Sequence, residues 1–249
     1  MTPEQAFLML RLDGPLQAWG GVARDPVRPT VAYPTRSGLT GLLASALGLR
    51  YRDGEATNAL QDSIRYAVRE DRAPRILRDY QTADLERIGR RGWTRWGIEV
   101  RAGGTAAVGT QILEKRYLAD GAFMVALTVS ATAPFSLDQI EQALQFPRRP
   151  LFLGRKGCLP ATPIVAGRHL APTPYDALAS WPISHRGVQN DSTSTGLRCW
   201  YDDGDGPEEG EPETIYDRRD FVTDRFAGAR TVRQHRVSPP ATAAAGVVT

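Results

Sequence analysis

Four short segments carry side chains suited to holding a strand of nucleic acid. Gly14-Pro-Leu-Gln-Ala-Trp-Gly-Gly21 frames Gln17 and Trp19 with glycine. An amide can read a base edge and an indole can stack on a base face; the competing reading is a tight turn with a tucked tryptophan. Arg28-Pro-Thr-Val-Ala-Tyr-Pro-Thr-Arg-Ser-Gly38 brings Arg28, Thr35, Arg36 and Ser37 to the start of a helical pattern. The unpaired amides of a helix N-terminus make a phosphate seat, although simple capping also explains the hydroxyls. Leu153-Gly-Arg-Lys-Gly-Cys158 sets Arg155 and Lys156 in a small turn, suited to tracking a phosphate backbone or simply exposed. Residues 83–110 hold Arg87, Arg90, Arg91, Trp93, Arg95 and Trp96 with little core periodicity, and read as a protruding β-ribbon or a mobile loop. All four lean toward single-stranded nucleic acid.

Catalytic templates fail by comparison. The chain has no P-loop, no G-x-G-x-x-G, no G-x-S-x-G and no H-E-x-x-H. His169, His185 and His235 are scattered in the second half. Metal-free RNA cleavage needs a base and an acid beside a 2′-hydroxyl, usually a histidine with a lysine or tyrosine. Asp13, Asp79, Asp84 and Asp120 lack the spacing of a metal cluster. No catalytic residue, no metal site and no cofactor is therefore expected.

Composition points the same way. At 249 residues, 41% hydrophobic and 24% charged, the chain can bury one sizeable core or two small ones and is not globally disordered. The longest apolar run, Ala122 to Leu127, is far too short for a membrane helix. The opening residues lack a secretory signal, and Cys158 and Cys199 make no disulfide framework. A cytoplasmic protein with no membrane partner is expected. Of 31 basic residues only Lys115 and Lys156 are lysines, and arginine is the better residue for bidentate phosphate contacts and stacking. Residues 202–213 hold seven acids and no base; without those acids the net charge of +3 becomes +10. A basic body with one acidic loop suits a polyanion.

The elements that must position these segments read as α+β. Phe7 to Leu12 is apolar on nearly both faces, which predicts a strand central in a sheet. Thr35 to Gly48 reads as a helix with a Thr35 or Ser37 cap, a stripe of Leu39, Leu42, Leu43, Ala46 and Leu47, and a Gly48 stop. Gly38 and Gly41 each cost an isolated helix about 1 kcal/mol and suit close approach of a backbone or phosphate. Ile64 to Arg69 and Ile76 to Thr82 follow as strands. Gln111 to Leu118 and Ala122 to Ala131 read as a strand pair around Asp120-Gly121. Ser136-Leu-Asp-Gln139 matches a capping box, and Leu151 to Leu153 reads as a short strand. This order is an elaborated βαββαβ, ferredoxin-like plan, also used by RNA-recognition modules. Further on, Asp176 to Trp181 reads as a short helix, 184–196 and 202–213 as surface loops, and Phe221 to Arg236 as a returning strand pair. The division expected is a ferredoxin-like domain over 1–165, a smaller β-rich part over 166–237 and a frayed tail over 238–249.

Taken in order, six motifs carry a resemblance: Gly14-Pro-Leu-Gln-Ala-Trp-Gly20, Arg28-Pro-Thr30, Pro34-Thr-Arg-Ser-Gly-Leu-Thr-Gly-Leu-Leu43, Leu77-Arg-Asp-Tyr-Gln-Thr82, Tyr117-Leu-Ala-Asp120 with Phe123, and Leu153-Gly-Arg-Lys-Gly-Cys158. The series resembles the CasD subunits of type I-E CRISPR Cascade complexes, in the RAMP superfamily of RNA-binding proteins. It covers about residues 6–165 and continues loosely from Arg219-Asp-Phe221 to Val237. The resemblance implies an RRM-like domain with a β-hairpin thumb, here 83–110, and a smaller C-terminal part. It implies a subunit that holds the 5′ handle of the CRISPR RNA and touches the backbone and large subunits. Target DNA is then reached through the assembled complex. The precursor is cut by another subunit, so no enzymatic activity is implied. On this resemblance Gln17, Trp19, Arg28, Thr35, Arg36 and Ser37 lie near the handle. Arg78, Tyr80, Lys115 and Tyr117 come next, and Arg155 and Lys156 hold backbone. Two alternatives stay open. One is a metal-independent endoribonuclease that processes the precursor, as some CasD relatives in other subtypes do, although Lys115, Arg116 and Tyr117 bring no histidine with them. The other is a general single-stranded RNA-binding protein.

Overall fold

Strand β1 (Gln5–Asp13) organises the molecule because it is covered on both sides. A computed structural model describes residues 3–20, 27–84, 93–94, 97–98, 110–183, 196–226 and 228–240. Side chains alternate across a strand. Leu8, Leu10 and Leu12 accordingly enter one core, and Phe7 and Met9 a second one on the other face. Each fully buried leucine contributes about 1.5–3 kcal/mol.

After β1 come β2 (Leu16–Gln17), β3 (Val27–Arg28), α1 (Arg36–Leu47), α2 (Gly54–Ser63), β4 (Ile64–Arg72) and β5 (Arg75–Asp84). Then follow β6 (Trp93–Thr94), β7 (Gly97–Ile98), β8 (Thr110–Ala119), β9 (Ala122–Val129) and α3 (Leu137–Gln145). The rest is β10 (Val165–Ala171), α4 (Pro174–Ser180), β11 (Leu197–Asp202), β12 (Glu211–Ile215), β13 (Arg219–Asp220), β14 (Arg225–Phe226) and β15 (Arg230–Val237). The main sheet runs β10-β1-β9-β4-β11-β15-β12, antiparallel throughout. The fold is thus mixed α+β on antiparallel sheets. Helices α1 and α3 bury Leu39, Leu43, Ile140 and Leu144 against one face, and α4 buries Ala177 and Leu178 against the other. A second sheet centres on β8, which pairs with β5 along its whole length and with β2 and β3 on its other edge.

The local signals for helices hold. Thr35 accepts a hydrogen bond from the Gly38 amide and caps α1, which stops at Gly48 in the left-handed region at φ 83°. Ser136 and Gln139 form a reciprocal capping box on α3. Such caps are worth about 1 kcal/mol each.

Several expectations about strands are corrected. Strands β8 and β9 flank Asp120-Gly121 but do not pair with each other. β9 lies between β1 and β4, while β8 pairs with β5, β2 and β3. The reason is patterning. β9 is apolar on both faces, sending Phe123, Val125 and Leu127 to one core and Met124 and Ala126 to the other. β8 carries Glu114, Lys115 and Arg116 in succession and cannot be buried on both faces. Asp120, at φ 56°, turns the chain from one sheet to the other. At the same corner Arg72 donates to Asp13 at 2.9 Å and bridges to Asp120 at 3.0 Å.

Leu151 to Leu153 is not a strand. Its last residue accepts from Ala18 N at 3.0 Å and donates to Cys158 O at 2.7 Å, forming a turn, and β10 takes the place beside β1. The last residues of the expected 202–213 loop, 211–213, belong instead to the edge strand β12. Within 221–236, β14 pairs with β13, and β15 runs between β11 and β12. Helix α2 was not expected. Of the ribbon segment, Arg87, Arg90, Arg91, Arg95 and Trp96 lie outside the described residues, as do 184–195 and 241–249. Trp93 falls in β6, paired with Ile98 of β7.

Candidate nucleic-acid interface

An open groove of about 870 Å³ runs over the outer side of α1. Ser37, Gly38, Gly41, Leu42 and Ser45 form its floor, at the spacing of one helix face. A Cβ added at Gly41 meets nothing within 4 Å, so this part of the floor is bare backbone. One wall is Ala18, Gly20, Arg28 and Pro29. The next is the 149–156 segment, with Arg149, Phe152, Arg155 and Lys156. The last is the β13–β14 hairpin, with Arg219, Phe221, Asp224 and Phe226.

The turn at 154–157 is fixed by close approach. Gly154 has φ +92°, and a Cβ there would stand 1.7 Å from the Ala18 carbonyl oxygen, so only glycine fits. Arg155 then reaches across, donating to the carbonyls of Arg116 at 2.8 Å and of Arg28 and Pro29 at 2.9 Å, with its guanidinium 4.9 Å from the Tyr117 ring centroid. Arg149 donates to the carbonyls of Ala44 and Leu49 at the end of α1. Their acceptors are neutral, so both cations keep their charge and give the groove a positive field. Lys156 is exposed on its rim.

The hairpin wall is pinned to α2. Gln61 accepts from Arg219 N and donates to Arg219 O, and Asn58 accepts from Phe221 N and donates to Asp220. Hydrogen bonds from Thr223 and Asn58 hold the Asp220 carboxyl down at about 2. Arg219 pairs with Asp224 and packs over Phe221.

Of the residues singled out in the sequence, Arg28, Ser37, Arg155 and Lys156 meet in this groove. Others are built into the interior. Trp19 is fully buried and donates its indole N–H to Gln17 at 2.8 Å. Gln17, also buried, donates to the carbonyls of Leu12 and Gly121 at 3.0 and 2.8 Å. Gly38 closes the packing, since a Cβ there would lie 2.9 Å from the Trp19 ring. The tucked tryptophan is the reading that fits this geometry, and neither side chain presents a face to a base.

The start of α1 is likewise filled by the protein itself. Arg36 N donates to the Asp217 carboxylate at 2.7 Å, Ser37 N to the Asp217 carbonyl at 3.1 Å, and Gly38 N to Thr35. An anion already sits at the seat offered to a phosphate. Burial holds the Asp217 carboxyl above its ordinary value, outweighing the hydrogen bond and charge of Arg36 that pull it down. Arg230 holds the same carboxylate through two 2.8 Å bonds. The Arg36 side chain points inward, donating to the Gln61 and Ile64 carbonyls at 3.0 and 2.8 Å and pairing with Asp202.

The β5–β8 strand pair divides the remaining residues. Register places Arg78 and Tyr80 with Arg116 and Glu114 on one face, and Lys115 and Tyr117 on the other. Arg78 pairs with Glu114 at 2.7 Å and Lys115 donates to Gln81 at 2.8 Å. Hydrogen bonds from Arg78 and Arg116 lower the Glu114 carboxyl. Sequence reasoning missed Arg149, Phe152, Phe221 and Phe226 as groove residues. The signals available were the basic pair before Pro150 and the Arg218-Arg219-Asp-Phe221 run.

This fold and this groove occur in a chain that belongs to the Cas5 family: the family model described as CRISPR-associated protein (Cas_Cas5) matches residues 7–233. The chain is 33% identical over 211 residues to the CRISPR system Cascade subunit CasD of Escherichia coli (strain K12), covering 82% of this chain and 89% of that protein. A chain of a solved CRISPR RNA-guided surveillance complex matches with 28% identity and a TM-score of 0.69, covering 94% of this chain and 91% of that one. A crystal structure of a Cas protein matches with 29% identity and a TM-score of 0.61, covering 93% and 94%. Among the described residues no helix is long and apolar enough to cross a membrane.

Proposed function

We propose that this chain is a non-catalytic RNA-binding subunit of a type I-E CRISPR Cascade surveillance complex, which caps the 5′ handle of the crRNA. It joins the backbone subunit to the large subunit and meets target DNA only through the assembly. The observation that carries this reading is the cationic groove over α1, in a chain of this family. Arg28 and Lys156 line the phosphate path, with Arg149 and Arg155 behind them, and Phe221 and Phe226 offer ring faces to splayed bases. Residues 1–165 supply most of this surface and 166–237 complete it with the hairpin wall.

The strand order β10-β1-β9-β4, with α1 after β1 and α3 after β9, supports a ferredoxin-like plan. On this reading the β5–β8 ribbon is the root of a thumb that continues through 83–110. A non-catalytic role is supported by the two described histidines, which stand beside α4 rather than over α1. His169 contacts Ser180 and Trp181, and His235 lies near Tyr175.

The test uses end-labelled repeat RNA and mature guide RNA, in chelator, with the chain assembled with its partner subunits. Retention of the handle without cleavage is the expected result. A discrete cut within the repeat overturns the non-catalytic assignment, and failure of the assembly to retain RNA overturns the whole reading.

A further inference from the structure

A second cavity, 330 Å³ in volume, adjoins the groove, and Ser37 and Phe226 line both. Its chemistry is the reverse of its neighbour's. The groove is lined by Arg28, Arg149, Arg155, Lys156 and Arg219 against the one carboxylate of Asp224. The smaller cavity has the carboxylates of Glu213 and Asp217 against the one guanidinium of Arg198. That guanidinium is already bound to Glu70 at 2.7 and 2.9 Å, as the Asp217 carboxylate is to Arg230, so the exposed Glu213 sets the sign of the cavity. A phosphate is repelled from such a place, whereas a neutral ring is not.

The cavity is also aromatic. Tyr33 and Trp200 are buried and stack with ring centroids 4.8 Å apart. Tyr216 and Phe226 line it while 62% and 42% exposed, so part of each ring is open to a ligand. Polar groups sit among the rings. Glu213 is exposed on the edge strand β12 and can accept from an amine. Gln234 accepts from the Trp200 indole N–H at 3.1 Å, which orients its amide N–H groups as donors. Burial, and then the nearby Glu213 carboxylate, push the Tyr33 phenol up, so it stays a neutral hydroxyl.

We propose that this second cavity is a nucleobase pocket. One base of the RNA whose backbone lies in the groove turns over the sill of Ser37 and Phe226 and stacks there, its amino group toward Glu213. The proposal rests on the groove being the RNA site. It adds that one handle position is read as a base with an exocyclic amine, not uracil.

The test is an abasic scan. Guide RNAs lacking one base at each handle position in turn are bound to the chain assembled with its partner subunits. The wild type is compared with Ala32→Trp and Glu213→Gln. Ala32 is exposed and lines the cavity, so an indole there fills it from the rim. Base removal at one position is expected to weaken wild-type binding about 10-fold, the scale of one lost base–aromatic stack. Ala32→Trp should bind intact RNA comparably weakly and show no further loss at that position. Glu213→Gln, which keeps the fold whatever Ala32→Trp does, should reduce the preference for an amino-bearing base over uracil there. Two results overturn the pocket and leave the groove standing. One is a penalty that persists in full in Ala32→Trp. The other is the absence of any sensitive position while Lys156→Ala still weakens binding. If intact RNA does not bind, or Lys156→Ala changes nothing, the groove reading falls and the pocket falls with it.

Discussion

The layer beneath the groove, at Trp19 and the start of α1, and its outer wall, at the 149–156 turn and the β13–β14 hairpin, are made of the same residue types. Both hold arginine, an aromatic ring and a small polar or glycine residue. Yet the inner set is closed: the Trp19 N–H, the Gln17 amide, the Arg36 guanidinium and the first amides of α1 all have partners inside the chain. The outer set leaves Lys156 and Phe226 exposed and keeps the charge of Arg155 uncancelled. Residue type therefore marks a region as polar and aromatic, and only the hydrogen-bond accounting tells whether it serves the core or a ligand.

The comparison breaks most visibly if the inner set is removed. Trp19→Ala is expected to destabilise the chain by about 3–5 kcal/mol, the cost of a large cavity in a packed core. Urea unfolding measures it, and a loss of RNA binding with native stability would instead make the indole a ligand contact. Asp217→Ala comes next, at about 2 kcal/mol, because it leaves the Arg36 amide without its acceptor and takes from Arg230 one of its two carboxylate partners, Asp202 remaining. A shift in thermal midpoint without any change in the salt dependence of binding is the expected pattern.

On the outer wall the signs reverse. Lys156→Ala should change stability by less than about 0.5 kcal/mol. It should lower the slope of log affinity against log salt by about 0.7, one phosphate contact to a single strand. A titration at several salt concentrations reads both. The smallest effect is acidic. Asp220 has its carboxyl lowered from 3.8 to about 2 by hydrogen bonds from Thr223 within the hairpin and then from Asn58 of α2. A lowered carboxyl gives stability that is present above the unfolded value and is lost as pH falls through the folded one. Protection of the Phe221 and Val222 amides against exchange, taken relative to their intrinsic rates, should therefore fall between about pH 4 and pH 2. Asp220→Asn should abolish that dependence.

What the sequence made legible follows the range of each interaction. The apolar run of β1, the Thr35 cap, the Gly48 stop and the Ser136 capping box act within a turn or a strand, and each forms where its residues indicate. Strand partnership does not act locally, which is why β8 and β9 read as a hairpin and are not one. The phosphate seat at α1 failed for the same reason: its occupant, Asp217, lies 181 residues further along the chain. The exposure of Lys156 on the groove rim was legible because it sits in a glycine-flanked basic turn, whereas the Arg155 bonds to the carbonyls of Arg28, Pro29 and Arg116 join segments far apart in sequence. Phe226 was not, since two residues of β14 give no period to read.

The rung that pairs Arg72 with Ala122 is the last of the β4–β9 ladder, and the whole excursion through β5 and β8 leaves and returns there. Length between those two residues is consequently decoupled from the register of the main sheet. Residues added or lost at the far end of the ribbon leave every rung from Ile64 and Val129 down to Arg72 and Ala122 where it was. Insertion or deletion between β5 and β8 is thus an operation that slips no strand of the main sheet.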